Sequence, residues 1–488
     1  MRFRLSILGF LLASVIFSGG CSTNPATGEQ SFTAFMSRAD ELRIGAEEHP
    51  KMIKEFGGAY PDAKLRAYIK RTGLALARLS EVTDLPYTFT ILNDDKVNAF
   101  ALPGGYVYIT RGLLALAENE AEMAGVMAHE IGHVTARHTA QRYSSAQAAN
   151  LGLMVLGVLG SAAGVPSGVG QLASFGAQAA LQSYSREQEL EADRLGVRYL
   201  RRAGYSPMAM TSFFVKMQAH ARLERTMAGD KEETPHNIMA THPRTADRIN
   251  QAIGLENSAA KGAGFVRREE FLDEIDGMVF GDDPHHGVRR GRGFVHPDLR
   301  IRFEAPPGFV LFNSPRQVVA RGPNKSVMLF DMAGEKSARG ARSLRGYIAN
   351  TWARGLRLYG LERITINGMD AATAGTNVQG KDIRLIAIRG GLKQIFRLAF
   401  ITPPEMSQRL SQDFRRATYS FRRISEDEAR AIKPLRIKVI TVKPGDTPGS
   451  LASGFPFEKF RLRWFETRNG LGPGERLKPG VRAKVVVE

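Results

Sequence analysis

The chain has 488 residues, of which 43% are hydrophobic, 24% charged and 8% aromatic. This balance excludes disorder or a collagen-like repeat as a description of the whole chain, and the length predicts roughly two to four domains. The mean hydropathy of −0.21 argues against a polytopic membrane protein. A single cysteine excludes a disulfide framework and a thiolate-rich metal site, so any metal must be held by His and carboxylate side chains.

The net charge of +18 is divided unevenly along the chain. Residues 286–488 hold 38 Lys and Arg against 17 Asp and Glu, a net charge of +21, whereas residues 1–285 carry a net charge of −3. The change of sign near Arg289 predicts that two different kinds of surface are joined there. A basic half can bind nucleic acid, anionic lipid or an anionic cell-wall polymer, and a solvated Arg-rich surface without a ligand is an equal alternative.

The N-terminus discriminates among these partners. After a positively charged start, the apolar stretch Leu5–Phe17 and the small residues Ser18–Gly20 lead to Cys21. Residues 1–21 therefore resemble a bacterial lipoprotein signal peptide with Cys21 as the lipidated residue, and an ordinary cleaved signal peptide is the alternative. Both interpretations predict export, which argues against a nucleic-acid partner. Ser22 favours sorting to the outer membrane, with the protein held in the periplasm by its lipid anchor.

Hydrophobic periodicity and turn residues predict the elements in chain order. They are helices at 35–56 and 62–82, a strand at Leu85–Leu92, a strand, turn and strand at Val97–Thr110, helices at 111–118, 120–138, 183–203 and 207–227, and two later helices at 341–356 and 405–418. Residues 148–182 are rich in Ala, Gly, Leu and Val and nearly free of charge. We interpret them as a helical hairpin, with a membrane-dipping loop as the alternative, because the most apolar part is too short to cross a bilayer.

Changes of composition predict the domain boundaries. A first domain at 22–260 is followed by a linker at 261–293 that is rich in Gly, His and Arg. Short alternating runs between two helices then predict an α+β module at 294–425, and a small module at 433–488 begins and ends on strands. The predicted fold class is therefore α+β.

The pentapeptide His129-Glu130-Ile131-Gly132-His133 carries the clearest chemistry in the chain. On a helix, His129 and His133 project from one face and can present both imidazoles to one Zn²⁺ ion. Glu130 then lies near the metal without ligating it, where it can accept a proton from a zinc-bound water and pass it to a leaving amine. The motif predicts a zinc hydrolase, and two solvent-facing helix histidines are the alternative.

Zinc requires a third protein ligand, and the histidine that a metzincin would supply further along the same helix is absent. The acidic helix predicted at Ser185–Gly196 offers carboxylates instead. Glu187 and Glu191 share one face of it, and Glu189 and Asp193 share another. The spacing alone does not choose between these pairs, and a solvated acidic face is a further alternative.

HEIGH followed by ExxAD resembles the gluzincin zinc peptidases of the HtpX and Ste-type CAAX-protease group, most closely their periplasmic lipoprotein, BepA-like branch. The segments Asn98–Leu114 and Thr241-His242-Pro243 also match, and the resemblance covers about residues 22–255. It implies one Zn²⁺ per chain with Glu189 as its third ligand. It also implies that Asp193 hydrogen-bonds a ligand histidine.

Two further basic residues, His242 and Arg248, are candidates for the site, and a third, His138, is not. His242 could stabilise the oxyanion of the tetrahedral intermediate, or occupy the water position on zinc and silence the enzyme, or be merely structural. Arg248 could share the oxyanion role or pair with Glu189 or Asp193. We interpret His138 as structural, because it lies five residues beyond His133 and off the metal-facing side.

The remaining segments suggest what the protein contacts. An exposed strand edge within Val97–Thr110 would hold an extended substrate by main-chain hydrogen bonds, which suits unfolded polypeptides, and an ordinary hairpin is the alternative. Residues 294–423 resemble PsbP-like and Mog1-like α+β sandwiches. Residues 437–488 resemble a divergent LysM module, which implies binding to peptidoglycan, with a purely structural cap as the alternative.

Taken together, the sequence predicts a mainly helical zincin peptidase domain with a small sheet, an α+β sandwich-like module and a small LysM-like module. The resemblance implies a lipid-anchored zinc endopeptidase that cleaves misfolded or unassembled envelope proteins. A non-proteolytic scaffold or chaperone is one alternative, and a peptidoglycan-acting zinc hydrolase is another.

Overall fold

The computed structural model describes residues 21–148, 184–228, 242, 250–251, 254, 264–455 and 460–488. Residues 1–20 of the predicted signal peptide, residues 149–182 of the predicted hairpin and Arg248 lie outside the described residues. Among the helices of the described ranges, none is both long and apolar enough to cross a bilayer.

Helices dominate the region before residue 280, as predicted. They are α1 (Arg38–Glu55), α2 (Ala63–Ala77), α3 (Arg111–Leu116), α4 (Glu120–Thr135), α5 (Arg186–Arg202), α6 (Met208–Ala228) and α7 (Arg268–Ile275), with further helical residues at 138–148. The strands of this region are β1 (Cys21–Thr23), β2 (Gln30–Phe32), β3 (Thr88–Leu92), β4 (Ala99–Leu102), β5 (Tyr106–Thr110) and β6 (Val279–Phe280).

A small sheet in the order β3-β5-β4 packs against these helices. The predicted strand, turn and strand at 97–110 is confirmed: β4 and β5 pair antiparallel through a turn in which Gly104 and Gly105 have φ of 80° and 90°. Residues with side chains rarely adopt such values, so glycine suits both positions. In this order β4 is an edge strand, and it lies beside α4, the helix that carries the HEIGH motif.

A seven-stranded antiparallel sheet organises the following region. Its strands, in sheet order, are β10 (Val310–Asn313), β11 (Gln317–Arg321), β12 (Val327–Met332), β16 (Gln394–Thr402), β15 (Lys381–Gly391), β14 (Met369–Val378) and β13 (Tyr359–Ile366). The other elements here are β7 (Val288–Arg290), β8 (Gly293–His296), β9 (Ile301–Glu304), β17 (Arg422–Arg423), α8 (Glu335–Gly340), α9 (Leu344–Tyr347), α10 (Pro404–Ser420) and α11 (Glu426–Arg430). One core of this region lies between the sheet and α10 and includes Phe330, Phe396 and Phe414. The mixed α+β class is therefore confirmed.

The last segment folds back onto the first region. It comprises β18 (Leu435–Thr441), α12 (Pro448–Leu451), α13 (Arg461–Arg468) and β19 (Arg482–Val487). β18 pairs antiparallel with both β19 and β6, which forms a sheet in the order β19-β18-β6. Phe465 is fully buried in the same hydrophobic core as Met127 of α4 and Leu272 of α7. The predicted boundaries at 260, 293 and 433 stay predictions, but residues 435–488 and the first region share one core.

Two buried basic side chains attach this segment to α3. Lys484 Nζ lies 3.1 Å from the Ala115 carbonyl oxygen and 2.5 Å from that of Ala117, so it donates to the C-terminal end of α3. The last carbonyls of a helix have no partner within it, and this donor satisfies two of them. The Arg468 guanidinium donates to the Gly112 carbonyl oxygen in the first turn of α3 at 3.3 Å.

Candidate metal centre

The helix α4 places two histidines side by side in the interior. The Asn119 side chain begins the helix by accepting a hydrogen bond from the Glu122 N–H at 2.9 Å. His129 and His133 lie one turn apart and are 0% and 2% exposed. Their Nε2 atoms are 3.0 Å apart, so both rings direct this nitrogen at the same point.

The helix α5 brings Glu189 to the same point. Ser185 caps this helix, with its hydroxyl and the Gln188 side chain each bonded to the other residue's backbone N–H. The Glu189 carboxylate is fully buried, with one oxygen 3.6 Å from His129 Nε2 and the other 3.4 Å from His133 Nε2. One turn further along, Asp193 Oδ1 lies 2.9 Å from His129 Nδ1. The structure thus brings together the residues that the resemblance implied, while Glu187 is exposed and points elsewhere.

Close contact between α4 and α5 makes this arrangement possible. Gly196 of α5 faces the His129 backbone: a Cβ atom at this position would lie 3.1 Å from the His129 nitrogen. Gly132 of α4 faces the Ala192 backbone in the same way, at 3.0 Å from its carbonyl oxygen. A side chain at either position would require a helix backbone to move, so both glycines support the close approach.

His242 forms the fourth member of the group. Its Nδ1 atom lies 2.7 Å from Glu189 Oε1 and 3.4 Å from His129 Nε2, and the residue is 1% exposed. Its other nitrogen lies 3.7 Å from Glu130 Oε1. The candidate Arg248 lies outside the described residues. His138, which we interpreted as structural, is buried on the side of the His133 ring that faces away from the other ligands.

The donor set fits a zinc ion. One ligand atom from each of His129, His133, Glu189 and His242 lies within 4.8 Å of all the others. A tetrahedral zinc ion with bonds of about 2.0–2.1 Å separates its ligand atoms by about 3.3 Å. The separations from 2.7 to 3.6 Å scatter around this value. Imidazole nitrogens and one carboxylate are also the ligands that zinc prefers when thiolates are absent.

The protonation states suit metal binding. Burial lowers the pKa of His133 well below its usual value, which keeps the imidazole neutral. Burial alone would raise the pKa of Glu189, but the neighbouring histidines 242, 133 and 129 lower it well below the usual value, so the carboxylate is ionised. A neutral imidazole and an ionised carboxylate are the forms that ligate a metal.

Glu130 lies beside this group on α4 and is fully buried. Glu130 follows His129 directly in the helix, and its carboxylate projects toward the His242 ring. The imidazoles of His129 and His133 face Glu189 instead. A carboxylate in this position can exchange a proton with a water bound to the metal. Its role as the general base remains a prediction.

The centre is closed to bulk solvent in this form. The adjoining cavity has a volume of about 30 Å³ and lies between His133 and Arg137 of one wall and the β4 residues Ala101 and Leu102 of the other. A water molecule requires roughly 10–15 Å³ of such space, so the cavity holds about two waters and no peptide. The edge strand and the metal centre are nevertheless direct neighbours.

Several residues contact the centre although the sequence did not single them out as parts of it. The Tyr184 ring stacks on His133 with centroids 3.9 Å apart. His138 is hydrogen-bonded to His133 and to Glu191, and Glu191 accepts a hydrogen bond from Asn24. The sequence pattern offered Glu191 only as a possible ligand, and the position of His138 five residues after His133 could have identified it as a neighbour.

The chain is similar in sequence to known peptidases. A family model described as Peptidase family M48 matches residues 63–256. The beta-barrel assembly-enhancing protease of Escherichia coli K12 is 32% identical over 251 residues, which are 49% of this chain and 48% of that protein. The metalloprotease LoiP of the same organism is 30% identical over 256 residues, which are 51% of this chain and 94% of LoiP.

Two further comparisons cover other shares of the chain. The mitochondrial metalloendopeptidase OMA1 of Schizosaccharomyces pombe is 27% identical over 216 residues, which are 43% of this chain and 59% of OMA1. The solution structure of cyanobacterial PsbP from Synechocystis aligns with 12% identity and a TM-score of 0.21, over 29% of this chain and 98% of that one. The chain spans about half the length of the assembly-enhancing proteases that it matches.

Proposed function

Since the chain belongs to peptidase family M48, we propose that it is a zinc-dependent endopeptidase of the bacterial cell envelope. The observation that carries this proposal is the buried set of His129, His133 and Glu189, with Glu130 beside it. The three ligands would hold one Zn²⁺ per chain, with Asp193 orienting His129 through its Nδ1 atom.

Each group of the centre has its own role in the reaction. Zinc, when bound, lowers the pKa of a water molecule and polarises the scissile carbonyl. Glu130 accepts the proton of the attacking water and delivers it to the leaving amine, so that one carboxylate serves both steps. β4 holds the substrate extended beside α4 by main-chain hydrogen bonds, which places a peptide bond near Glu130 without demanding a particular sequence.

His242 occupies the place where this water would bind. Its Nδ1 atom completes the four-membered donor set, at 3.4 Å from His129 Nε2. The distances favour the silencing role over the oxyanion role, because an oxyanion donor would have to leave the fourth position free. The form described here is therefore a resting form, and His242 must move before substrate binds. Arg248 remains a candidate for the oxyanion role.

Hydrolysis of casein by the purified protein tests the proposal. We expect the wild type to cleave casein and Glu130→Gln to lose at least about a hundredfold in rate, because the general base is removed while the side chain keeps its shape. Equal rates in the two proteins would contradict an endopeptidase and favour a non-proteolytic scaffold or chaperone. Zinc content, measured on both proteins, should be unchanged, because Glu130 is not a ligand.

The substrates are misfolded or unassembled envelope proteins. The family resemblance of the sequence implied such substrates, and the name of one relative, a beta-barrel assembly-enhancing protease, supports the proposal. Digestion of purified sacculi separates this proposal from a peptidoglycan-acting zinc hydrolase. Release of muropeptides by the wild type but not by Glu130→Gln would favour the hydrolase.

The protein is anchored in the outer membrane and faces the periplasm. Cys21 is exposed, as an acylated residue must be, and belongs to the short strand β1. Labelling of cells with a palmitate analogue should mark the wild type and leave Cys21→Ser unlabelled. Equal labelling of the two proteins would assign the acyl group to another residue.

The C-terminal segment is a glycan-binding module of the LysM type. Its elements follow one another as strand, helix, helix and strand, an order that supports this proposal. The two strands, β18 and β19, pair antiparallel, with Arg436 opposite Val487. Sedimentation with purified peptidoglycan should retain the wild-type protein. The absence of retention would leave only the structural role of this segment.

A further inference from the structure

His133 has a hydrogen-bond partner on the side of its ring that faces away from the metal centre. Its Nδ1 atom lies 2.8 Å from Nδ1 of His138, which is fully buried. Because Nε2 of His133 faces the other ligands, Nδ1 must carry the ring proton when a metal is bound. His133 therefore donates and His138 accepts.

This direction fixes the rest of the hydrogen bonds. When His138 accepts at Nδ1, its own proton is on Nε2, and this atom lies 3.1 Å from Glu191 Oε2. A carboxylate only accepts, so His138 donates to Glu191. The second oxygen of Glu191 accepts from Asn24 Nδ2 at 2.6 Å. The Asn24 amide is oriented by its other atom, Oδ1, which accepts from the Ala26 N–H at 2.9 Å.

Two donors share the Glu191 carboxylate, one on each of its oxygens. The ionised carboxylate strengthens the bond from His138, because charge-assisted hydrogen bonds are the stronger ones. His129 differs from His133 in that its Nδ1 atom reaches a carboxylate directly, that of Asp193 at 2.9 Å.

Asn24 belongs to a segment that is hydrogen-bonded to residues just beyond the end of α4. Arg137, which follows this helix, donates to Ser22 Oγ at 2.9 Å and to the Met36 carbonyl oxygen at 2.9 Å. Gln141 donates to Ser31 Oγ at 3.2 Å. Residues 22–36, which follow Cys21, thus contact the residues that come directly after the helix that carries both histidines.

We propose that His138 and Glu191 are positioning residues for His133, and that Asn24 extends their hydrogen-bond chain to the segment that follows the lipid attachment site. This inference rests on the proposed function, since it concerns the same zinc centre. Through this chain, residues 22–36 contribute to the free energy of zinc binding. Partners of this kind typically change metal affinity by about 10–100-fold when they are removed.

The test compares zinc affinity with the stability of the metal-free protein in four variants of the full chain. His138→Phe removes both ring nitrogens, Glu191→Gln removes the charge, and Asn24→Asp removes the donor to Glu191 but keeps the acceptor for the Ala26 N–H. Glu187→Gln is the matched control, because Glu187 is on the same helix and exposed. Zinc affinity is measured by competition with a chromophoric chelator, and metal-free stability by thermal unfolding.

We expect zinc binding to weaken by about tenfold or more in His138→Phe and Glu191→Gln, and by about threefold or more in Asn24→Asp, with Glu187→Gln unchanged. The metal-free unfolding temperature of Glu191→Gln should equal that of the wild type, because the amide keeps the shape of the carboxylate. Asn24→Asp places a second carboxylate beside Glu191 and should be less stable. In a double-mutant cycle, His138→Phe and Glu191→Gln should cost together no more than the larger single effect, because they break one chain.

Three results would overturn the proposal. Zinc affinities within twofold of the wild type in all three variants would show that the chain does not position His133. Additive losses in the double-mutant cycle would show two unconnected effects. A lower affinity found only where metal-free stability also falls would assign these residues to the packing alone. Failure of the wild type itself to bind zinc would instead contradict the proposed function.

Discussion

His242 reaches the group of buried candidate ligands from a part of the chain 53 residues beyond Glu189. Its ring lies 2.7 Å from the Glu189 carboxylate and 3.7 Å from that of Glu130. Under the proposed function, a side chain beside both the third ligand and the general base can control the reaction by its position alone.

Removal of this imidazole should open the centre. If about a tenth of the wild-type molecules are open, His242→Ala raises the rate of casein hydrolysis by about tenfold, because the closed form is no longer populated. The rate is measured at equal zinc occupancy, with Glu130→Gln/His242→Ala as the inactive control. A fall of about a hundredfold or more would instead assign His242 to the oxyanion.

A second histidine makes the stability of the protein depend on pH. Burial lowers the pKa of His296, in β8, to about 4, whereas the residue titrates near 6.5 in the unfolded chain. Between these values the unfolded state binds a proton that the folded state does not. The free energy of unfolding therefore falls as the pH is lowered from about 6.5 to about 4.

Urea unfolding at pH 7, 5 and 4 measures this contribution. His296→Gln should lose less stability than the wild type over this range, because the titrating group is gone. His285→Gln is the control: Asp298 raises the pKa of the largely exposed His285, so its small contribution has the opposite sign. An equal pH dependence in His296→Gln and the wild type would contradict the prediction.

At the scale of elements, the distance between α4 and α5 sets the geometry of the ligands. A Cβ atom at Gly196 or Gly132 would lie only 3.0–3.2 Å from backbone atoms of the opposite helix, so an alanine at either place would separate the two helices. Gly340, the last residue of α8, differs from both, because a Cβ atom there would have no neighbour within 4 Å.

Gly196→Ala should destabilise the protein by about 1–2 kcal/mol, since the overpacking of about 1–3 kcal/mol exceeds the gain in helix propensity of up to about 1 kcal/mol. It should also weaken zinc binding, because Glu189 moves away with α5. Gly340→Ala is the control and should be neutral or stabilising in urea unfolding, because the added methyl group meets no neighbour. Unchanged zinc affinity in Gly196→Ala would show that the helix spacing does not control the centre.

The elements around the motif could be predicted from the sequence because their signals are local. The periodicity of residues 120–138 predicted α4, and the glycines at 104 and 105 predicted the turn before β5. Glu189 could not be chosen over its neighbours by spacing, and only the resemblance implied it. Its position depends on the close packing of two helices, which no local pattern encodes.

At the scale of the whole molecule, two hydrophobic cores should respond differently to the same change. Phe465 of α13 is fully buried in the core that contains α4, and Phe396 of β16 is fully buried in the core of the seven-stranded sheet. Each loses about 3–5 kcal/mol of packing when truncated to alanine.

Phe465→Ala should lower the temperature at which the protein releases zinc and stops hydrolysing casein, because the core that contains Phe465 supports the metal centre. Phe396→Ala should leave this temperature nearly unchanged while the unfolding of the seven-stranded sheet, followed by circular dichroism, moves to lower temperature. Equal effects of both variants on activity loss would show that the two cores unfold as one.

Long-range contacts explain why this organisation was not predicted. The linker-like composition of residues 261–293 and the strand pattern of residues 433–488 are visible in the sequence, yet the pairing of β6 with β18 joins positions more than 150 residues apart. The chain from His133 to Asn24 depends on such contacts too, because Asn24 and Glu191 are 167 residues apart. Patterns within a short window carry no information about which distant segments will meet.

The pairing of β6, β18 and β19 has a consequence for biosynthesis. The strand β19 is made from residues 482–487, and its Ala483 and Val486 complete the core that supports α4. A nascent polypeptide that already contains HEIGH therefore lacks the packing of its own catalytic half until translation has passed this strand. A polypeptide that stops before residue 482 therefore lacks part of the hydrophobic core behind His129 and His133.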